Sequence, residues 1–143
     1  RAALREVREA VAGYRQPALA TELAGVRELL AAAGVEARIE QAVGPLPPAA
    51  DAMLAWAVRE GATNVVRHGR ARHCLIRIAR AGDTIRAEIA DDGRGAPPAA
   101  APGGNGLAGL AERAAALGGR VAAGPREGGG FQLCVELPAE RAR

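Results

Sequence analysis

Residues 73–95 read HCLIRIARAGDTIRAEIADDGRG. Residues 73–80 and 84–90 alternate apolar and polar side chains around Ala-Gly-Asp. Alternation with period two marks half-buried strands, and a short polar turn between them marks a hairpin. The pair is followed by two acids and a Gly-x-Gly, which leave the backbone open at the strand end. Two strands adjacent in the chain are not a βαβ unit, so a regular parallel sheet is excluded here.

Working outward, a long helix is expected before this hairpin, over about residues 49–68, started by Asp51 or the prolines and ended by Gly69. Met53, Leu54, Ala57, Val58, Ala62, Val65 and Val66 supply its apolar side. Further upstream, residues 18–33 carry a stripe of Leu19, Leu23, Val26, Leu29 and Leu30, with Gly34 as the stop. Residues 35–43 alternate as a strand, and 44–48 (GPLPP) form a turn or loop. Residues 2–15 repeat Leu4, Val7 and Val11 at helical spacing until Pro17. Downstream, residues 96–104 form a Pro/Ala/Gly loop, a helix begins near Leu107 and ends at Gly118–Gly119, and strands over 120–124 and 131–138 flank the glycine turn 128–130. The order predicts an α+β domain: a two-layer α/β sandwich whose mixed, mostly antiparallel sheet carries its helices on one face.

Composition narrows the function. With 143 residues the chain suits one domain. Tyr14, Trp56 and Phe131 are its only aromatics, which weighs against a binder that stacks bases on rings. A net charge of +3 without a basic run gives little pull on a polyanion, but leaves a compact anion such as a nucleotide possible. Cys74 and Cys134 read as reduced, buried thiols in strands. No 18-residue apolar run and no leader pattern occur, so the chain as given reads as soluble and cytoplasmic. It opens at Arg1 inside a helical pattern without Met, as a piece of a longer protein would.

Three groups can carry chemistry. Glu60, Asn64, Arg67 and His68 lie at i, i+4, i+7 and i+8, one face of the long helix. An amide oxygen there suits Mg²⁺, a guanidinium and an imidazole suit phosphate, and a carboxylate can orient water or act as a base. Alone, the same face is also what a solvated helix surface looks like. Asp91 ends a strand, where a carboxylate can accept from an exocyclic amine such as that of adenine; an ordinary acidic turn fits equally. Gly104-Asn105-Gly106-Leu107-Ala108-Gly109 leads directly into a helix, whose first N–H groups and dipole favour phosphate. It follows a loop and not a strand, so it is no dinucleotide fingerprint. The chain has no lysine, so a P-loop is excluded.

In this order and spacing, the three groups resemble the ATP-binding catalytic domain of sensor histidine kinases, within the superfamily that includes the gyrase and Hsp90 ATPases. REGATNVVRHG (59–69) is similar to the N box, DDGRG (91–95) to the G1 box, and GGNGLAGLAERAAALGG (103–119) to the G2 box. The G-L-x-G-L-x-E-R pattern and the closing GGGFQLCVELP resemble the subfamily whose kinases pair with helix-turn-helix response regulators. The resemblance covers roughly residues 17–138.

The resemblance implies a Bergerat-type fold, with residues 1–16 ending a dimerisation and phosphoacceptor segment and 17–143 forming the ATP-binding domain. It implies ATP and Mg²⁺ as ligands, with Asn64 on the metal, Arg67 and His68 on the phosphates, and Asp91 on the adenine amine. Gly93 and Gly95 shape that wall, while Gly104, Asn105, Gly106 and Leu107 line the phosphate end below a lid over 96–104. Glu60 matches the N-box acid, which activates water in the related ATPases. The implied partners are a histidine-bearing hairpin of the same protein and a response regulator, with dimerisation confined to the full-length protein, no nucleic acid, and membrane attachment of the whole protein left open. His68 and His73 lack the His-Asp or His-Glu context of a phosphoacceptor, so the chain alone is not expected to autophosphorylate. Phe131 stands where the family often has Thr, which puts a water-mediated contact near adenine in doubt. An anti-sigma-factor-type serine kinase and a non-catalytic nucleotide-binding module are the competing readings.

Overall fold

A computed structural model describes residues 18–93 and 105–139, with only the backbone described at 68, 69 and 105. The expected helix over 2–15, the boundary near 16–17, Gly95, Gly104 and the loop over 96–104 lie outside the described residues.

Helix α1 spans Ala18–Ala32 and strand β1 Glu36–Gln41; α2 spans Pro48–Asn64 and continues as a π turn over Val65–Gly69. The hairpin follows as β2 (His73–Ala81) and β3 (Thr84–Asp91), then α3 (Asn105–Ala116), β4 (Arg120–Pro125) and β5 (Phe131–Pro138). One five-stranded sheet has the order β1-β2-β3-β5-β4. Only β1 and β2 pair in parallel, and α2 supplies the crossover that a parallel pair needs. The other three pairs are antiparallel. This is the mixed, mostly antiparallel sheet expected from the strand pairs.

Alternation decides which face the helices cover. Cys74, Ile76 and Ile78 of β2, Ile85, Ala87 and Ile89 of β3, and Leu133, Val135 and Leu137 of β5 are all buried. They sit at matching positions in the register, so one face of the sheet is a continuous apolar surface. Leu19, Val26 and Leu30 of α1 and Met53, Leu54 and Val58 of α2 close it. Each full burial of such a side chain stabilises by about 1.5–3 kcal/mol. The opposite face is charged. Arg77, Arg86 and Arg120 pair across strands, the first with Glu40 and the other two with Glu136, while Arg38 pairs with Glu40 along β1 itself. Cys74 and Cys134 are free and buried, and burial pushes the Cys74 thiol up to about 12.

The helices are tied at their ends. The backbone N–H of Leu19, in the first turn of α1, donates to the Asp51 carboxylate at 3.2 Å. Asp51 also sits in the first turn of α2, where an acid suits the dipole. Arg59 grips Glu22 of α1 through two hydrogen bonds of 3.1 and 3.2 Å. Gly61 lets α2 lie directly on β3, since a Cβ there would stand 2.9 Å from Cγ2 of Ile89.

Four expectations need correction. Helix α2 does not run as an α-helix to residue 68: its last turn is π, and the left-handed residue that ends it is Arg70 (φ 51°), not Gly69. The strand expected over 35–43 is confined to Glu36–Gln41. Helix α3 starts at Asn105, two residues before Leu107. Leu29 is 39% exposed and lies off the buried stripe of α1.

Candidate functional site

The site forms where the C-terminal end of α2, the end of β3 and the start of α3 face one another. Along β3 the inward positions are Ile85, Ala87 and Ile89, and the same alternation turns Asp91 inward. Asp91 is 4% exposed and is the one buried charged or polar residue among those described. Its Oδ1 accepts the backbone N–H of Gly93 at 2.8 Å. Burial pushes its carboxyl above the usual carboxylate range, with the Gly93 bond opposing. A buried acid is costly to a fold unless something binds it, which makes it a functional-site candidate.

Asp92 faces the other way. It accepts the backbone N–H groups of Arg72 and His73, each at 2.9 Å, and the Nδ1 of His73 at 2.7 Å. These bonds, the His73 backbone N–H first, hold its carboxyl down to about 2. Asp92 and His73 thus pin the start of β2 to the end of β3, a structural task. The two adjacent acids have opposite roles because the strand points them to opposite sides.

The wall behind Asp91 is backbone. Its carbonyl accepts Nη1 of Arg126 at 3.0 Å. Gly130, at φ 97°, packs so closely under that carbonyl that a Cβ there would strike it. Phe131 stands opposite Asp91 in the β3–β5 register and is half-buried.

On α2, Trp56, Glu60 and Asn64 recur every four residues on one face. On α3, Gly106, Gly109 and Arg113 recur at three and four. The two faces meet. The Glu60 carboxylate lies where a side chain on Gly106 would have to go. A Cβ on Gly109 would stand 3.1 Å from Cη2 of Trp56, and the Arg113 guanidinium covers the indole 4.4 Å from its centroid. Asn64 is half-buried at the last α position, and its side chain makes no hydrogen bond among the described residues. Leu107 is half-buried and packs on the core.

The structure therefore brings Glu60 to the start of α3 at Gly106, with Asn64 one turn further along the same face of α2 and Asp91 at the end of β3. It does not keep Arg67 on a continued α-helical face: Arg67 lies exposed in the π turn, whose i→i+5 bonding changes the helical register after Asn64. The His68 and Asn105 side chains are not described. No group of three or more His, Cys, Asp or Glu among the described residues is arranged to hold a metal. No described helix is long and apolar enough to cross a membrane. Sequence reasoning missed Trp56, Arg126 and Gly130 as builders of the site. Trp56 was detectable, four residues before Glu60 on the same face; Arg126 reaches Asp91 across 35 residues and left no local signal.

Helices on one face of a mixed sheet, with a buried acid at a strand end and a glycine in the first turn of the last helix, are the architecture in which the chain's relatives are found. Residues 50–141 match the family of histidine kinase-, DNA gyrase B- and HSP90-like ATPases, and the chain belongs to that family. It is 32% identical over 139 residues to the sensor histidine kinase YvfT of Bacillus subtilis, covering 96% of this chain and 37% of that protein. A second Bacillus subtilis sensor histidine kinase, LnrJ, is 40% identical over 80 residues, covering 56% of this chain and 20% of that protein. The chain thus spans little more than a third of the longer match. Among solved structures, the histidine kinase domain of a blue-light activated kinase from Erythrobacter litoralis has a TM-score of 0.73 at 18% identity, covering 92% of this chain and 68% of that one. Full-length ShkA in complex with AMPPNP has a TM-score of 0.66 at 28% identity, covering 85% of this chain and 30% of that one. The fold and the relatives are those of the ATP-binding catalytic domain of sensor histidine kinases.

Proposed function

We propose that this domain holds Mg-ATP in a two-component sensor histidine kinase and presents its terminal phosphoryl group to a histidine of a helical hairpin of the same protein, for onward transfer to a response regulator. Buried Asp91 carries the reading. An ionised carboxylate at 4% exposure with one backbone donor among the described residues has acceptor capacity that the adenine exocyclic amine would fill. A bond of that type to a charged group contributes about 1.5–3 kcal/mol. The AMPPNP complex of ShkA supports an adenine nucleotide as the ligand class.

The donor set at the phosphate end fits Mg²⁺. Mg²⁺ keeps several waters and binds through one or two protein oxygens plus substrate phosphates, so the Asn64 carbonyl is a sufficient protein ligand. Bound there, the ion would neutralise charge developing on the phosphates. The rest falls to the chain. The first N–H groups of α3, at Asn105, Gly106 and Leu107, would be the backbone donors to phosphate oxygens, as the start of a helix suits an anion. Arg67, exposed one turn past Asn64, adds positive charge from solvent, and His68 belongs to the same turn. Glu60, held against Gly106, can orient an incoming nucleophile or take its proton. Gly93, with Gly95 and Gly104, completes the glycine set of the proposed pocket.

Calorimetric titration with ATP and Mg²⁺ tests the reading. Wild type binds; Asp91→Asn and Asn64→Asp each lose most of the affinity. Unchanged affinity in both variants would remove the site assignment.

A further inference from the structure

We infer that Trp56 is a positioning residue of this site: its indole sets the height and tilt of α3 over α2, and so places the Gly106 backbone against Glu60. The inference rests on the nucleotide reading above and adds a residue to it.

The geometry is a two-point clamp. From below, Trp56 meets the open backbone at Gly109, where even a methyl group would be at 3.1 Å from Cη2 and 3.6 Å from Cζ2. From above, Arg113, one turn further along α3, covers the ring face at 4.4 Å. The ring thus fills the space between the helices at Gly109 and is held flat by Arg113. A cation over an indole is a favourable contact, and the aromatic body adds buried area. Gly106 lies three residues before Gly109, one helical turn toward the start of α3. Any tilt of α3 about the indole is therefore carried straight to the N–H groups proposed for phosphate. Glu60 follows Trp56 by four residues, so both contacts lie on one stripe of α2. The contacts of Trp56 at Gly109 and Arg113 lie between α2 and α3, whereas Asp91 and Gly93 are held by β3, Arg126 and Gly130.

That separation gives the test. Dissociation constants for ATP with Mg²⁺ and for adenosine are measured for wild type, Trp56→Ala, Trp56→Phe and Gly109→Ala, with Tm recorded for each. Trp56→Ala weakens ATP by a factor of roughly 5–30, the loss expected when a helix N-terminus no longer meets its anion. Adenosine affinity stays within about twofold, since no adenine contact has moved. Trp56→Phe, which keeps a ring, recovers most of the ATP affinity. Gly109→Ala disturbs the same contact from α3 and shows the same split. Equal loss for ATP and adenosine would reduce Trp56 to a stability residue, and no loss for either would overturn the inference. Wild type that binds neither ligand would instead bring down the nucleotide reading on which it stands.

Discussion

The Asp91 carboxylate is tied to the Gly93 backbone N–H at 2.8 Å while remaining 4% exposed. Its carboxyl lies above the ordinary range because of burial. An acid raised on folding stabilises the fold only where it is protonated, and that contribution is lost as pH rises through its folded value. At neutral pH the ionised group therefore weighs against the fold. Asp91→Asn keeps an oxygen for Gly93 and removes the charge. It is expected to hold or raise the Tm of the nucleotide-free protein at pH 7, as functional residues often do when replaced. Thermal unfolding by circular dichroism checks this; a fall of about 5 °C, roughly 1 kcal/mol for a domain of this size, would contradict it.

Gly130 has the opposite balance. Its φ of 97° and its contact with the Asp91 carbonyl leave no room for a side chain. Gly130→Ala is expected to cost about 2–4 kcal/mol, combining backbone strain with displacement of a strand end. Urea denaturation should show the loss in the midpoint, and ATP binding should weaken with it because Asp91 moves.

Acid stability isolates Asp92. Its carboxyl is held down to about 2 by the His73 backbone N–H and ring and by the Arg72 N–H, against a free value of 3.8. An acid depressed on folding contributes stability above its unfolded value and loses it as pH falls through its folded one. The wild type should therefore lose urea resistance between pH about 4 and 2. Asp92→Asn should show a flatter dependence across that window, and an identical slope would remove Asp92 from the acid response.

Metal dependence isolates Asn64. In wild type, chelating Mg²⁺ should weaken ATP binding strongly. In Asn64→Ala the affinities with Mg²⁺ and with chelator should converge, since the proposed protein ligand is gone. A variant with full Mg²⁺ dependence would place the ion elsewhere.

Much of this was legible in the sequence, for reasons particular residues make clear. The alternation over 73–90 gave β2 and β3 because one face is buried and the other charged. It also distinguishes Asp91 from Asp92: Asp91 continues the inward series Ile85, Ala87, Ile89. Glu60 and Asn64 share a face because α2 stays α-helical to Asn64. Arg67 was misplaced because nothing local announces a π turn before an arginine in the left-handed region. The Trp56–Arg113 stack and the Arg126 bond to Asp91 depend on tertiary approach across 57 and 35 residues, beyond any local pattern.

Buried Asp91, at the end of β3, is the residue proposed to read adenine. The most direct measurement is calorimetric titration of the wild-type chain and of Asp91→Asn with ATP and Mg²⁺, on samples shown to be equally folded. Wild type should show saturable one-site binding, and the variant should lose about tenfold or more in affinity, the worth of one charged hydrogen bond. Equal binding by both folded proteins would contradict it.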